Sequence, residues 1–429
     1  MTNTEWKEYT VQELIDLDML EPPLDGNHGE KHPKSTDYVS EGIPFVMAND
    51  LTNGSVDLKN CYFITQEQAD SLDKGFAKPG DVLLTHKATL GRTAIVPDTY
   101  PMIVLTPQVT YYRCKKGIHN KYLKYYFDSP SFQQLFQNWA GSGSTRLYLG
   151  ITAQRKLPIV LPPLAEQQRI AKILSSLDEK IELNNAINRN LEEQAQAIFK
   201  NWFIDFEPFG ENEFVDSPIE LKIPKSLKMI QIEGIPHTLE TGRRPKGGAV
   251  SEGIPSIGAE NVKQLGVFDF SSNKFIPREF AESLGKGKIN GYELLLYKDG
   301  GKPGTFMPHF SMFGEGFPYE ECYINEHVFK LDFGDKGLNI FAYFYFQTDY
   351  VVSWLANNGG KAAIPGINQN DVNAIWIYDL SHPKVQEFGD IAKPMFEQIL
   401  KNCKQNRQLS LLRDSLLPKL MSRELELGV

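Results

Sequence analysis

Basic side chains in this 429-residue chain collect in a few stretches punctuated by glycine and proline. They are Lys74 and Lys78; His86, Lys87 and Arg92; Arg146, Arg155 and Lys156; Arg243, Arg244 and Lys246; and Lys286, Lys288, Lys298 and Lys302. Lys and Arg neutralise phosphate, and Arg can also read a base edge through paired N–H groups. Glycine beside them lets the backbone approach an anion closely. The formal net charge is −9, which by itself weighs against a polyanion binder. Placement decides more than the sum, however. A locally basic face and an ordinary solvated surface both remain open at this point. The acidic residues are dense elsewhere, over 178–193 and 205–220.

Signatures of catalysis are missing. There is no G-x-x-x-x-G-K-[ST] phosphate loop; Gly300-Gly301-Lys302 runs into Pro303 and opens no helix. There is no G-x-G-x-x-G, and Gly141-Ser142-Gly143-Ser144 reads as a turn. There is no H-E-x-x-H, and His86 stands alone. Glu21-Pro22-Pro23-Leu24 lacks both the amide or Asp and the aromatic of the amino-methyltransferase motif, and reads as a polyproline-like turn. The pattern is that of a reader, with no catalytic residues and no metal ligands.

Composition fits a folded chain of two to four domains, 41% hydrophobic and 23% charged. The first eighteen residues have no signal-peptide pattern, and no apolar run approaches the roughly 20 residues of a membrane span. Cys61, Cys114, Cys322 and Cys403 form no C-x-x-C pair. That spacing favours a reducing cytosol over a disulfide framework or zinc site.

The elements that must position the basic stretches are written twice. Ser40-Glu41-Gly42-Ile43-Pro44 returns letter for letter as Ser251-Glu252-Gly253-Ile254-Pro255. The match continues in register, with Phe63-Ile64 facing Phe275-Ile276 and Ala69-Asp70-Ser71-Leu72 facing Ala281-Glu282-Ser283-Leu284. Asn184, Asn188, Arg189 and Leu191 recur as Asn402, Asn406, Arg407 and Leu409, each 218 positions on. Each half opens with short β-like runs, such as 81–85 and 293–297, broken by Gly-rich turns. Aromatic clusters follow at 122–127 and 341–346, and core packing is the expected role.

Each half closes on a long helix. Residues 165–203 contain neither Gly nor Pro, and Ile170, Leu174, Leu177, Ile181, Asn184, Asn188 and Leu191 step by four and three. The second helix, 383–416, repeats the pattern, with Pro394 expected to kink or unwind its first turns. Amides at matching seam positions are expected to bond across the seam and fix register; a fraying, wet middle is the alternative. About 38 residues at 1.5 Å rise make a rod of about 57 Å. Antiparallel pairing would bring the four asparagines into one layer, with a globular head at each end.

Leu161-Pro162-Pro163-Leu164-Ala165-Glu166-Gln167-Gln168-Arg169-Ile170-Ala171-Lys172-Ile173-Leu174, followed by Leu177-Asp178-Glu179-Lys180-Ile181, resembles the central conserved region of the specificity subunits of type I restriction–modification enzymes. Gly42-Ile43-Pro44, Gly253-Ile254-Pro255 and the closing 412–420 share the likeness, which covers the whole chain. The second copy, Asp379-Leu380-Ser381-His382-Pro383-Lys384-Val385-Gln386-Glu387, departs from it and keeps only Pro and Gln-Glu.

The resemblance implies an α+β fold with a pseudo-two-fold internal repeat. Target-recognition domains would occupy 1–162 and 208–383. The family's two conserved helices, 163–207 and 384–429, would pair as an antiparallel coiled coil. It implies a non-catalytic, cytoplasmic subunit of a bacterium or archaeon that reads a bipartite target in double-stranded DNA. Two methyltransferase subunits and the restriction subunits would be its partners, with no membrane involved. S-adenosylmethionine, ATP and Mg would belong to those partners, and no cofactor to this chain. The family's placement of contacts in head loops directs attention to His28, Lys31, Lys87, Thr89, Arg92, Ser142, Ser144, Thr145 and Arg146 in the first head. In the second head the corresponding residues are Arg243, Arg244, Lys246, Lys298, Asp299, Lys302 and Lys361. Glu166, Gln167 and Arg169 would face a partner subunit, and Asn184, Asn188, Asn402 and Asn406 would set coiled-coil register. A coiled-coil scaffold whose heads bind protein is the alternative from another class, and a hydrolase with an unrecognised site is a third.

Overall fold

A computed structural model describes residues 5–141, 147–210, 213–300, 304–360 and 365–425. The chain forms two compact units, Met1–Glu179 with Leu409–Val429, and Lys180–Gln408. The division runs through both long helices rather than at their ends. Each unit therefore owns a head, part of the first long helix and part of the second.

The sequence repeat is a repeat of sheets. In the first unit, strands Leu24–Asp25, Val109–Tyr112, Val82–Lys87 and Thr89–Ile95 lie side by side in that order, all antiparallel. In the second unit, Thr238–Thr241, Val328–Asp332, Leu294–Tyr297 and Phe310–Ser311 reproduce the order and the directions. A second sheet in each head is built on the shared pentapeptide. Ile43–Val46 pairs parallel with Ile103–Leu105 and antiparallel with Tyr62–Ile64. Ile254–Ile257 does the same with Tyr323–Ile324 and Phe275–Ile276. A third, two-stranded sheet joins Lys7–Thr10 to Pro158–Leu161, as Met229–Gln231 joins Trp376–Tyr378.

Val82, Leu83 and Leu84, like Leu294, Leu295 and Leu296, are fully buried, as a strand covered on both faces requires. The aromatic clusters sit in helices Asn120–Asp128 and Lys336–Tyr345, where Tyr122, Phe127 and Phe341 are fully buried. The expected core role is their role. Two glycines explain how the first sheet meets the second. A Cβ on Gly26 would stand 1.8 Å from the Leu105 carbonyl oxygen, and one on Gly242 would stand 1.7 Å from that of Ile324. Backbone cannot yield there, so only glycine fits at either position.

The long helices span Leu164–Phe203 and Pro383–Met421. The second stays helical across Pro394, against the expected unwinding. Pro394 and Asp390, whose carbonyl loses its partner, are both exposed, so that carbonyl is open to solvent in place of the missing N–H. In the second unit the helices pack antiparallel: Phe199 and Phe203 meet Phe388, with ring centroids 5.7 and 5.8 Å apart. In the first unit Ile170, Ala171 and Leu174 share a core with Leu417, Leu420 and Met421. There Arg413 donates to Asp178 at 2.7 Å, and Tyr125 donates to the same carboxylate at 2.6 Å.

Candidate nucleic-acid interface

In the first head, three of the singled-out loops meet beside a buried carboxylate. Asp25 closes its strand at 3% exposure and pairs with Lys74. His28 Nε2 lies 3.0 Å from the same carboxylate, and His86 Nε2 lies 3.9 Å away. Burial alone would raise the Asp25 pKa, but hydrogen bonds from Lys74 and His28 bring it below the ordinary value. His86 is fully buried, and its Nδ1–H donates to the Leu149 carbonyl at 3.1 Å. Burial pushes its pKa down to about 4, outweighing the attraction of Asp25. Leu149 N–H donates back to the His86 carbonyl at 3.1 Å, and Lys87 forms a β-bridge with Tyr148. Residues 25–28, 86–89 and 148–149 are thus one connected rim.

The exposed members of this rim differ in freedom. Lys87 is exposed at the end of its strand, and Ala88 takes a φ of 66° in the tight turn to Thr89. Lys31 is held by Asp73 at 2.6 Å, an exposed pair. Arg92 is exposed, and its Nη1 donates to the Leu51 carbonyl at 3.3 Å.

The second head joins the equivalent stretches by other chemistry. Arg243, Arg244 and Lys246 follow directly on Gly242 and are exposed. Arg244 pairs with Glu326 at 2.7 Å, and its Nη2 donates to His327 Nε2 at 3.1 Å. His327 Nδ1–H is then left to donate to Asp299. Lys298 Nζ donates to the Glu326 carbonyl at 2.9 Å and lies 5.3 Å from the Phe329 ring centroid. Lys298 and Asp299 are therefore committed to holding the rim, while Arg243 and Lys246 point their charge to solvent. Asp299 bridges Gly366, whose N–H donates to the Gly359 carbonyl at 2.9 Å, and Ile367 N–H donates to the Lys298 carbonyl at 2.8 Å. Ser142, Ser144, Thr145, Arg146, Lys302 and Lys361 lie outside the described residues.

Sequence reasoning missed Asp25, Glu326 and His327, the groups that tie each rim together. A search for cations passes over carboxylates, and only the fold shows that these face inward. It also missed Tyr148, 45% exposed beside Lys87 with its ring 5.6 Å from that of His86.

Residues 3–193 match the family model described as type I restriction modification DNA specificity domain. Over 408 residues the chain is 28% identical to the type I restriction enzyme MjaIX specificity subunit of Methanocaldococcus jannaschii, covering 91% of this chain and 89% of that one. The fold is similar to the crystal structure of the type I restriction–modification S subunit from M. genitalium, with a TM-score of 0.58 at 14% identity, over 98% of this chain and 97% of that one. Residues 3–193 thus match a type I DNA specificity domain, and most of the chain is similar to a type I specificity subunit. A 52-residue stretch is 52% identical to the type I restriction enzyme HindI specificity subunit of Haemophilus influenzae, 12% of this chain and 11% of that one.

In this chain the seam amides pair crosswise. Asn184 Nδ2 donates to Asn406 Oδ1 and to Gln405 Oε1, both at 2.8 Å, and Asn402 Nδ2 donates to Asn188 Oδ1 at 2.8 Å. Asn184 is fully buried and Asn402 nearly so, so these paired amides are held inside the seam and not frayed. Among the residues expected to face a partner, Gln167 is corrected. It is 1% exposed, its Oε1 accepts from His119 N–H at 2.9 Å, and its Nε2 donates to the Pro162 and Gly117 carbonyls at 2.9 and 3.1 Å. Its capacity is spent inside the chain, where it ties the helix start to the loop before helix Asn120–Asp128. Glu166 accepts from Trp6 at 3.1 Å, and Arg169 is exposed. Among the described residues no group of acidic, His and Cys side chains could hold a metal ion, and no helix is long and apolar enough to cross a membrane.

Proposed function

We propose that this chain is a specificity subunit that reads a bipartite, asymmetric sequence in double-stranded DNA, one part with each head. The observation that carries the reading is the convergence of equivalent basic stretches into one rim in each head. Lys87, Arg92 and His28 serve the first rim; Arg243, Arg244 and Lys246 serve the second. Arg and Lys can take guanine edges, while Thr89 and backbone N–H groups beside glycine take phosphate oxygens. The rims use different residues on one scaffold, so the two parts of the target differ.

In this reading the chain does no chemistry of its own. Two adenine-N6 methyltransferase subunits dock on it, one per half of the repeat, as approximate two-fold symmetry permits. They bring S-adenosylmethionine, and a restriction subunit brings ATP and Mg, all in the cytoplasm.

The test is a gel shift of the full chain, co-expressed with its methyltransferase, against a DNA library, followed by mapping of methylated adenines. A selective complex with adenines marked on either side of an unread gap is expected. A complex with no sequence preference would instead favour a protein-binding scaffold, and metal-dependent cleavage by the purified chain alone would favour a nuclease.

A further inference from the structure

The seam of the second unit carries a cavity of about 370 Å³ that the rims do not account for. Lys180 on the first long helix and Lys401 and Lys404 on the second line it. Every other lining residue, Gln398, Asn402, Gln405 and Gln408, is an amide. No carboxylate and no apolar side chain contributes. Small-molecule pockets are mostly apolar, so this lining does not suit such a ligand, and it offers nothing to an apolar helix face.

The surrounding sequence sharpens the point. On the second helix there is no acidic residue between Glu397 and Asp414, while Lys401, Lys404, Arg407 and Arg413 all occur there; on the first, Lys180 lies between Glu179, which pairs with Lys121, and Glu182. Lys180 and Lys401 are exposed and form no ion pair among the described residues. Lys404 pairs with Glu320 at 2.8 Å, but that carboxylate is 81% exposed, and such a pair is worth little against a competing anion. Gln398 to Gln408 covers about 15 Å of helix at 1.5 Å per residue. Three ammonium groups with amide N–H donors between them over that length can follow several phosphates of one strand.

We infer that this groove binds phosphate oxyanions through Lys180, Lys401 and Lys404, independently of the rims that read sequence. The chemistry is the same whether the phosphates belong to a DNA backbone or to a free polyphosphate; the DNA case rests on the function proposed above.

The experiment compares the full chain, co-expressed with its methyltransferase, with the triple variant K180Q/K401Q/K404Q and the charge-keeping K180R/K401R/K404R. Glutamine is a good helix former, so the helices should persist, and an unchanged melting temperature checks this. DNA affinity is measured against salt concentration, on target and scrambled duplexes. Each lost phosphate contact removes about 0.9 from the slope of log affinity against log salt. The glutamine variant should lose about 2–3 of slope with its preference for target unchanged, and the arginine variant should keep the wild-type slope. A second arm follows thermal stabilisation by inorganic tripolyphosphate. Loss of stabilisation with an unchanged DNA slope would assign the site to a free anion. Unchanged behaviour of the glutamine variant in both arms overturns the site. A wild-type complex without sequence preference would sink the proposed function, yet the tripolyphosphate arm would still decide this one.

Discussion

Asn188 and Asn402, 214 residues apart in sequence, share a 2.8 Å hydrogen bond in the seam between the long helices. Their repeat partners Asn184 and Asn406 are joined in the same way. The sequence put asparagine at the same two places in each helix, and antiparallel pairing turns that identity into a crossed pair. Replacing Asn188 with Ala leaves a buried amide without its acceptor. The variant should lose about 1–3 kcal/mol of stability, read as a lower urea midpoint at unchanged m. The double variant N188L/N402L should recover most of that loss, because an apolar pair packs where an amide pair had to be satisfied. A double variant as unstable as the two single changes combined would count against a paired role.

Gly26→Ala and Gly242→Ala should be among the most damaging small changes in their heads. In each, the new methyl meets a carbonyl oxygen at under 2 Å, so the sheets must separate. Overpacking typically costs about 1–3 kcal/mol; thermal melts of the two variants should show losses at or above the top of that range, and similar to one another. Gly29→Ala is the control: its Cβ would meet nothing within 4 Å, although a φ of 71° leaves some strain.

Lys87 and Lys298 look alike in the sequence and should behave differently. Lys87→Ala should weaken DNA binding with no change in melting temperature, because its charge faces solvent. Lys298→Ala removes the donor to the Glu326 carbonyl, so it should cost about 1 kcal/mol of stability and weaken DNA binding through a loosened rim. Paired melting and gel-shift measurements separate the two. Equal stability losses would show that both lysines are structural.

His86 makes folding sensitive to mild acid. Its folded pKa of about 4 lies below the ordinary 6.5. Between those values the unfolded chain binds a proton that the folded chain refuses, so stability rises with pH across that window. The contribution is whole above about 6.5 and is lost as pH falls toward 4, at most on the order of 3 kcal/mol. His32 and His119 are shifted in the same direction by burial, so His86→Gln should flatten the acid limb in part. Denaturation at several pH values checks the slope; an unaltered slope would mean His86 titrates normally. Asp25 acts lower down, its support lost only as pH falls through its depressed value.

Much of the architecture was legible because it depends on periodicity and repetition. The four-and-three spacing placed the first helix to within a residue, and the duplicated pentapeptide marked equivalent strands in both heads. Pro394 does not unwind the helix, because propensity says nothing about whether a broken hydrogen bond will face solvent. The rims were legible only in their cations. Gln167 resembled a partner-facing residue because its motif is striking in letters, whereas its partners, His119 and Gly117, lie some fifty positions away. The inward carboxylates Asp25 and Asp299 depend on strand ends meeting across similarly long separations, which no local pattern records.

The obstruction at Gly26 and Gly242 comes from main-chain atoms, so it persists whatever side chains surround it. The loops beyond meet no such main-chain obstruction, although Asn27 is itself buried and accepts from Asp73 N–H at 3.0 Å. Each head therefore joins a main-chain anchor to a loop whose outer residues, such as His28 and Arg243, are exposed. Heads whose loops share no letters can still be superimposed by locating this glycine first. A saturation mutagenesis profile should show the join as a sharp step, from near-total intolerance to broad tolerance within two or three positions.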